Sequence, residues 1–485
     1  MKLDEYAGFD AIGLAELVAV GQISATELAE VAIEAVGAVN SQINAVIETW
    51  DLEPTAFATA EEAGGPLAGV PFLVKDLGVT VAGRRNELGS RLTQGNTAAS
   101  NSVLVERLIA AGLVPLGRTT TPEFAWSTLT ESVLAGVTRN PWDLSRSPGG
   151  SSGGSAAIVA AGAVPMAHAT DAAGSIRIPA ASCGLFGLKP GRGRVSNGPA
   201  LDQAVSGLAA QLGVSRSVRD SAALLDALCG PDAGAPVTIA DANGQFLAAT
   251  HQDPGRLRIA LMLDGWGGSP TTSEVRQATS AVAALCENLA HHVELAAPEL
   301  GVGWPEFVRE SSVLWSANIA TWIEDAATAT GRPIDATTLE PQTLAVHRTG
   351  SALLAVDVIR AVDARNAVTR NIAPFFETYD VLLTPTLPDV AVPVGQYTAS
   401  TDDLDGYLWT ERLFTGSPFT AFANSAGLPA MTVPLSTDPV TGLPIGAQFV
   451  TRQGGEGLLL QLAAQLERAA PWADRHPPVW VGATA

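Results

Sequence analysis

The chain has 485 residues, 47% of them hydrophobic, and a net charge of −21 at pH 7, a length that admits about three domains of roughly 150 residues or one large α/β body. So acidic a chain repels phosphate backbones and anionic membrane surfaces unless a local basic patch intervenes, and the sequence shows none. No apolar run approaches the roughly 18 residues of a membrane span, and Cys183, Cys229 and Cys286 form no CxxC pair, which speaks against a disulfide framework or a zinc cluster.

The N-terminus is acidic where a signal peptide would be basic, so a cytoplasmic location is expected. Residues 24–39 open with a capping box, Ser24 with Glu27, and continue with helical spacing. Residues 51–66, rich in Ala, Glu and Pro, read as a connector. GVPFLVKDLGV (69–79) reads as a strand buried on both faces that delivers Lys75 and Asp76 to its end. A helix over 101–111, stopped by Gly112, and a strand over 113–116 come next; strand–helix–strand points to an α/β sheet.

Only three of the 28 basic residues are lysine: Lys2, Lys75 and Lys189. Arginine stays protonated in proteins, whereas a buried lysine can lose its proton and act as a base, so Lys75 is a candidate base.

The centre of the chain is the Gly/Ser-rich stretch from Asn140 to Lys189. It holds two turns, Gly149–Ser155 and Ala172–Ser175, which present Ser151, Ser152, Ser155 and Ser175 beside backbone N–H groups. Between them Ser155–Ala161 reads as a small-residue helix and 164–169 as a buried strand that makes His168 structural. A helix starting at Ser175 would place that residue at a helix N-terminus. Further on, helices are expected over 217–228, 272–290 and 455–469, and strands over 257–263, 293–297, 380–386, 431–435 and 445–450. Residues 300–378 read as mostly helical.

Several chemistries compete for the centre. Residues 149–153 satisfy G-x-S-x-G, but LSRSP is a poor strand before the turn and no histidine lies in a suitable loop, which disfavours an α/β-hydrolase elbow. The glycines lack the endings of a P-loop or a dinucleotide fold. A structural turn explains one Gly/Ser loop, not two beside a buried lysine. A Ser/Lys hydrolase without histidine remains.

The motifs GVPFLVKD, TRNPWD, GGSSGGS, DAAGSIR and CGLFGLKP, in this order, resemble those of the amidase signature family along essentially the whole chain. ISATELAEVAIEAVGAVNSQINAVI (23–47) and PWADRHP (471–477) are similar to the branch of bacterial 6-aminohexanoate cyclic-dimer hydrolases. The resemblance implies an α/β fold: a single large mixed sheet covered by helices on both faces, with an N-terminal helical segment (1–60) packed on a catalytic domain (61–485) and a helical insertion around 300–378. It implies a triad of Lys75, Ser151 and Ser175, a cis peptide before Ser151, and an oxyanion hole of backbone at Ala172, Ala173, Gly174 and Ser175. Asp171, Arg177 and Ser152 match supporting positions, with an ion pair as the alternative role of Arg177.

No cofactor or metal is expected, and the partner is a small-molecule amide met by a monomer or homodimer. Cys183 is expected to be a buried hydrophobe, Lys189 structural, and Asp76 a possible tuner of Lys75. Trp304, Trp315, Trp322 and Trp409 are the candidate pocket walls, and the absence of a Lys/Arg cluster between 300 and 420 disfavours a polyanionic substrate. Two other readings stand beside the amidase: the A subunit of a tRNA-dependent amidotransferase, from which Gly191 and Arg192 depart, and a catalytically silent small-molecule binding protein.

Overall fold

The computed structural model of the chain describes residues 1–51, 54–237, 239, 245–401 and 404–483. Its frame is a mixed sheet of eleven strands. From edge to edge they are Val46–Thr49, Val114–Thr119, Pro71–Lys75, Met166–Asp171, Ala210–Ser215, Phe186–Lys189, Ala430–Thr437, Pro444–Thr451, Val381–Pro385, Arg258–Leu261 and His292–Leu295.

Because side chains alternate along a strand, the sheet sorts its apolar residues onto two faces. Val381 and Leu383 join a buried cluster with Val433, Phe449 and Leu460, covered by helices Ala25–Ile43, Val218–Leu228 and Glu456–Ala469. Leu382, between them, joins a second cluster with Val450, Phe307 and Trp409, under helices Trp304–Thr330, Pro341–Ser351 and Gly406–Gly416. None of the described helices is long and apolar enough to cross a membrane.

The N-terminal helix forms as its capping box predicts. Ser24 Oγ accepts the Glu27 N–H at 3.2 Å, and the Glu27 carboxylate accepts the Ser24 N–H at 2.9 Å. Leu28, Ala32, Ala35, Val39 and Ile43 bury one face, and Asn44 ends the helix in a left-handed turn at φ 48°. The expected connector at 51–66 instead contains a helix, Pro54–Ala63; proline at its first position costs no hydrogen bond, and the alanines favour the helix. Residues 52 and 53 of that stretch lie outside the described residues. Three strands of this sheet, Val46–Thr49, Phe186–Lys189 and Ala210–Ser215, are absent from the sequence expectations. The region 300–378 resolves into helices Trp304–Thr330, Pro341–Ser351, Ala355–Ile372 and Phe375–Thr378.

One strand pairing brings distant motifs together. Pro71–Lys75 runs parallel to Met166–Asp171, with Leu73 opposite Ala167. Lys75 therefore ends beside Thr170 and Asp171 at the carboxyl ends of adjacent parallel strands, where open α/β sheets place their ligands.

Candidate active site

Every residue of the Pro71–Lys75 strand is buried, so the Lys75 ammonium has no route to water along its own strand. Its Nζ lies 2.7 Å from Ser151 Oγ, 2.7 Å from Thr170 Oγ1 and 3.1 Å from Ser152 Oγ. All three partners are hydroxyls. A hydroxyl accepts from an ammonium and equally donates to a free amine, so this cage suits both protonation states, whereas a contacting carboxylate would pin the charged one. Burial pushes the Lys75 amine down to about 7, with the Asp171 charge pulling the other way. Thr170 is one of the site residues absent from the sequence expectations; only its place next to Asp171 on the strand end signals it.

Asp76 does not tune Lys75. Its carboxylate accepts from Arg118 at 2.9 Å and from the backbone N–H of Glu87 and of Gly89. Burial raises it to about 6 against the Arg118 charge. His168 is structural: its Nδ1 accepts the Lys75 backbone N–H at 3.3 Å, so Nε2 carries the proton and faces Gln211 Oε1 at 2.9 Å. Burial holds this ring at about 3, neutral at any working pH.

The second turn hangs on Asp171 and Arg177. The Arg177 guanidinium donates to both Asp171 oxygens at 2.9 Å, and also to Thr420 O, Gln448 Oε1 and Asn424 Oδ1. Burial works to raise the Asp171 carboxyl, but Arg177 outweighs it and holds the group at about 2. The carboxylate then accepts the N–H of Gly174 at 2.8 Å and of Ile176 at 3.2 Å. Gly174 is therefore engaged within the protein, while the N–H groups of Ala172, Ala173 and Ser175 donate to no protein group among the described residues. Only three of the four expected oxyanion positions are open. Gly174 has φ 137°, and a Cβ there would fall 2.6 Å from Thr420 Oγ1, so no other residue fits the turn.

Ser151 follows a cis Gly150–Ser151 peptide and precedes the buried helix Gly153–Ala160. Ser152 Oγ accepts the Thr170 N–H and donates to Thr170 O, each at 3.2 Å, which ties the first turn to the strand end. Ser175 precedes the seven-residue helix Arg177–Cys183 rather than starting it, and its hydroxyl has no partner among the described residues. Cys183 is buried, and burial pushes its thiol up. Lys189 is buried too; its Nζ donates to Pro190 O at 2.8 Å, and burial together with the Arg177 charge brings it down to about 7.

Ser151, Thr170, Ala172 and Ser175 line one narrow chamber of about 40 Å³ with Phe124, Val205 and Trp315. It shares Leu77, Gly78, Asn197, Leu201 and Trp322 with an outer chamber of about 340 Å³. Trp315 lines the inner chamber and Trp322 lines both. Trp304 and Trp409 line neither: Trp304 stacks on Phe307 with ring centroids 5.3 Å apart, and Trp409 is fully buried, donating from Nε1 to Trp126 O at 2.8 Å. Both are packing residues of the second core. A larger cavity of about 620 Å³ lies behind Gly149 and Ile178 and contains none of the three predicted triad residues. Among the described residues no group of three or more His, Cys, Asp or Glu could hold a metal ion.

The Amidase family profile matches residues 27–460. A 6-aminohexanoate-cyclic-dimer hydrolase of Paenarthrobacter ureafaciens is 40% identical over 484 residues, covering 96% of either chain. A solved 6-aminohexanoate cyclic dimer hydrolase superposes with a TM-score of 0.91 at 38% identity, over 98% of this chain and 99% of the other. A bacterial aryl acylamidase superposes with a TM-score of 0.85 at 25% identity, over 98% of both. A match of this breadth, on a sheet that brings the motifs together at one end, makes the chain a member of the amidase signature family and an amide hydrolase.

Proposed function

We propose that the chain hydrolyses small to medium, mainly apolar amides through an acyl-enzyme in which Lys75, Ser151 and Ser175 form a proton relay. The observation that carries this reading is the Lys75 amine, buried among hydroxyls, 2.7 Å from Ser151 and brought down to about 7. Neutral Lys75 takes the Ser151 proton while Ser151 takes that of Ser175, and Ser175 Oγ attacks the amide carbonyl. The N–H groups of Ala172, Ala173 and Ser175 hold the oxyanion. As the C–N bond breaks, Ser151 returns a proton to the departing nitrogen and Lys75 reprotonates Ser151. Water then releases the acyl group by the same relay. No step requires a metal or cofactor.

Among the described residues lining the two chambers only Asp325 is charged, which supports neutral substrates and disfavours anionic ones. The names of two similar proteins point to nylon-type oligoamides and anilides as the first compounds to test. Aryl carbamates and esters present the same electrophile and belong in the panel. The same proposal places residues 61–485 as the catalytic domain, residues 1–60 packed on it, and the enzyme in the cytoplasm as a monomer or homodimer.

The test is a panel of 6-aminohexanoate oligomers, anilides, carbamates and esters run with wild type and Ser175→Ala, beside a serine-directed fluorophosphonate probe. Turnover lost in Ser175→Ala and labelling at Ser175 are expected. Ligand binding without labelling would favour the silent binding protein, and full turnover in Ser175→Ala would remove Ser175 as nucleophile.

A further inference from the structure

Seven non-glycine residues among those described have a left-handed backbone. Four of them, Leu88, Phe124, Ala125 and Val205, line the chambers, and a fifth, Ser206, is the neighbour of Val205. Val205 is the least expected. Its branched side chain disfavours φ 51°, and Ser206 follows at φ 53°. Such a pair persists only where the surroundings over-determine it, and it tends to do so where function needs the shape.

The contacts that hold the pair come largely from the helical insertion. The Ser206 N–H donates to Asn318 Oδ1 at 3.3 Å, and Asn318 Nδ2 donates back to Ser206 Oγ at 2.9 Å and to Leu314 O at 2.8 Å. Arg365 donates to Ser206 O, and Arg192 to Gly207 O at 2.6 Å. The arginines grip carbonyls alone; Asn318 holds Ser206 reciprocally. Asn318 also sits three residues after Trp315 and four before Trp322, on one face of the Trp304–Thr330 helix, and both tryptophans line the inner chamber with Val205.

We infer that Asn318 is a positioning residue that sets how bulky an amide reaches Ser151 and Ser175, by keeping Val205 and Ser206 left-handed so that the Val205 side chain forms the chamber wall. This rests on the proposed reading that the chambers take the amide substrate. Without Asn318 the turn relaxes towards ordinary right-handed backbone, Val205 withdraws, and the inner chamber widens. The side chain itself does not line the chamber, so the chemistry at Ser175 is untouched.

The experiment compares wild type, Asn318→Ala and Asn318→Asp on the fastest amide of the panel and on analogues branched next to the carbonyl or next to the nitrogen. In Asn318→Ala the branched-to-unbranched ratio of kcat/KM should rise by about tenfold, the range that one or two methyl groups command in an apolar pocket. The change should fall in KM, with kcat on the unbranched amide held within about twofold. Asn318→Asp, which keeps the acceptor and loses the donors, should shift the ratio less. Ser206→Gly accepts a left-handed backbone freely, so Asn318→Ala in that background should move the ratio by less than half as much. An unchanged ratio, an equal loss on all substrates, or an undiminished shift beside Ser206→Gly would each overturn the role of Asn318. The Ser175→Ala control reports separately on the amidase reading.

Discussion

If Lys75 must be neutral to start the relay, its titration sets the acid limb of kcat/KM. At a value of about 7, the neutral fraction is about 9% at pH 6, about half at pH 7 and about 91% at pH 8, so kcat/KM should rise about tenfold between pH 6 and 8. An ordinary lysine near 10.5 would be neutral in only about one molecule in 3,000 at pH 7. Burial thus makes the base available about a thousandfold more often. The direction comes from the form that works: activity is present above the Lys75 value and is lost as pH falls through it. Steady-state hydrolysis of an uncharged anilide from pH 5.5 to 9 keeps substrate ionisation out of the profile. Lys189 is brought to the same range, so the profile is repeated in Lys189→Met, where the limb should stay in place. A profile flat between pH 6 and 8, or one that falls as pH rises, would refute the lysine base.

The same burial has a cost in stability. Folding lowers Lys75 from its ordinary value of 10.5 to about 7, which amounts to about 4 kcal/mol against the fold at pH 7. The unfolded chain binds the extra proton between pH 7 and 10.5, so wild-type stability gains from Lys75 as pH rises through that window. Lys75→Met removes the cost and loses hydrogen bonds worth about 1 kcal/mol each; it should be inactive yet more stable by about 1 kcal/mol at pH 7, with the margin gone by pH 9 in denaturant titrations. Gly174→Ala meets Thr420 and an adverse φ together, and should lower kcat by about 100-fold or more with a smaller effect on KM. Arg177→Lys leaves several buried acceptors unpaired and should cost about 3–5 kcal/mol in denaturant unfolding, measured beside loss of turnover.

The parts of this protein that were legible in its sequence are those where a residue type is unusual for its setting. A lysine in an arginine-writing chain, at the end of an all-apolar strand, is such a case, as are the Ser24–Glu27 capping box and the glycines of the two turns. Thr170 was illegible because a threonine near a strand end is ordinary until Lys75 is laid beside it by a parallel pairing. Asn424 and Gln448 are ordinary amides until Arg177 needs acceptors. The strands Phe186–Lys189 and Ala210–Ser215 are too short or too rich in small residues to show a period. Tryptophans declare burial but not which side of a helix they bury, so Trp315 and Trp322 could not be told from Trp304 and Trp409. The Gly174 N–H could not be known to be taken, because that depends on where the Asp171 carboxylate turns.

The Arg177 contacts also order events in time. Its partners Thr420, Asn424 and Gln448 lie 243, 247 and 271 positions further along the chain. A ribosome that has made both turns has still to make the residues that brace the second, and contacts of such long range form late in folding. Refolding from denaturant should therefore regain helical signal before it regains reactivity of Ser175 towards the fluorophosphonate probe. Probe reactivity at Ser175 should therefore wait until the chain has been made past Gln448 and that stretch has folded against Arg177.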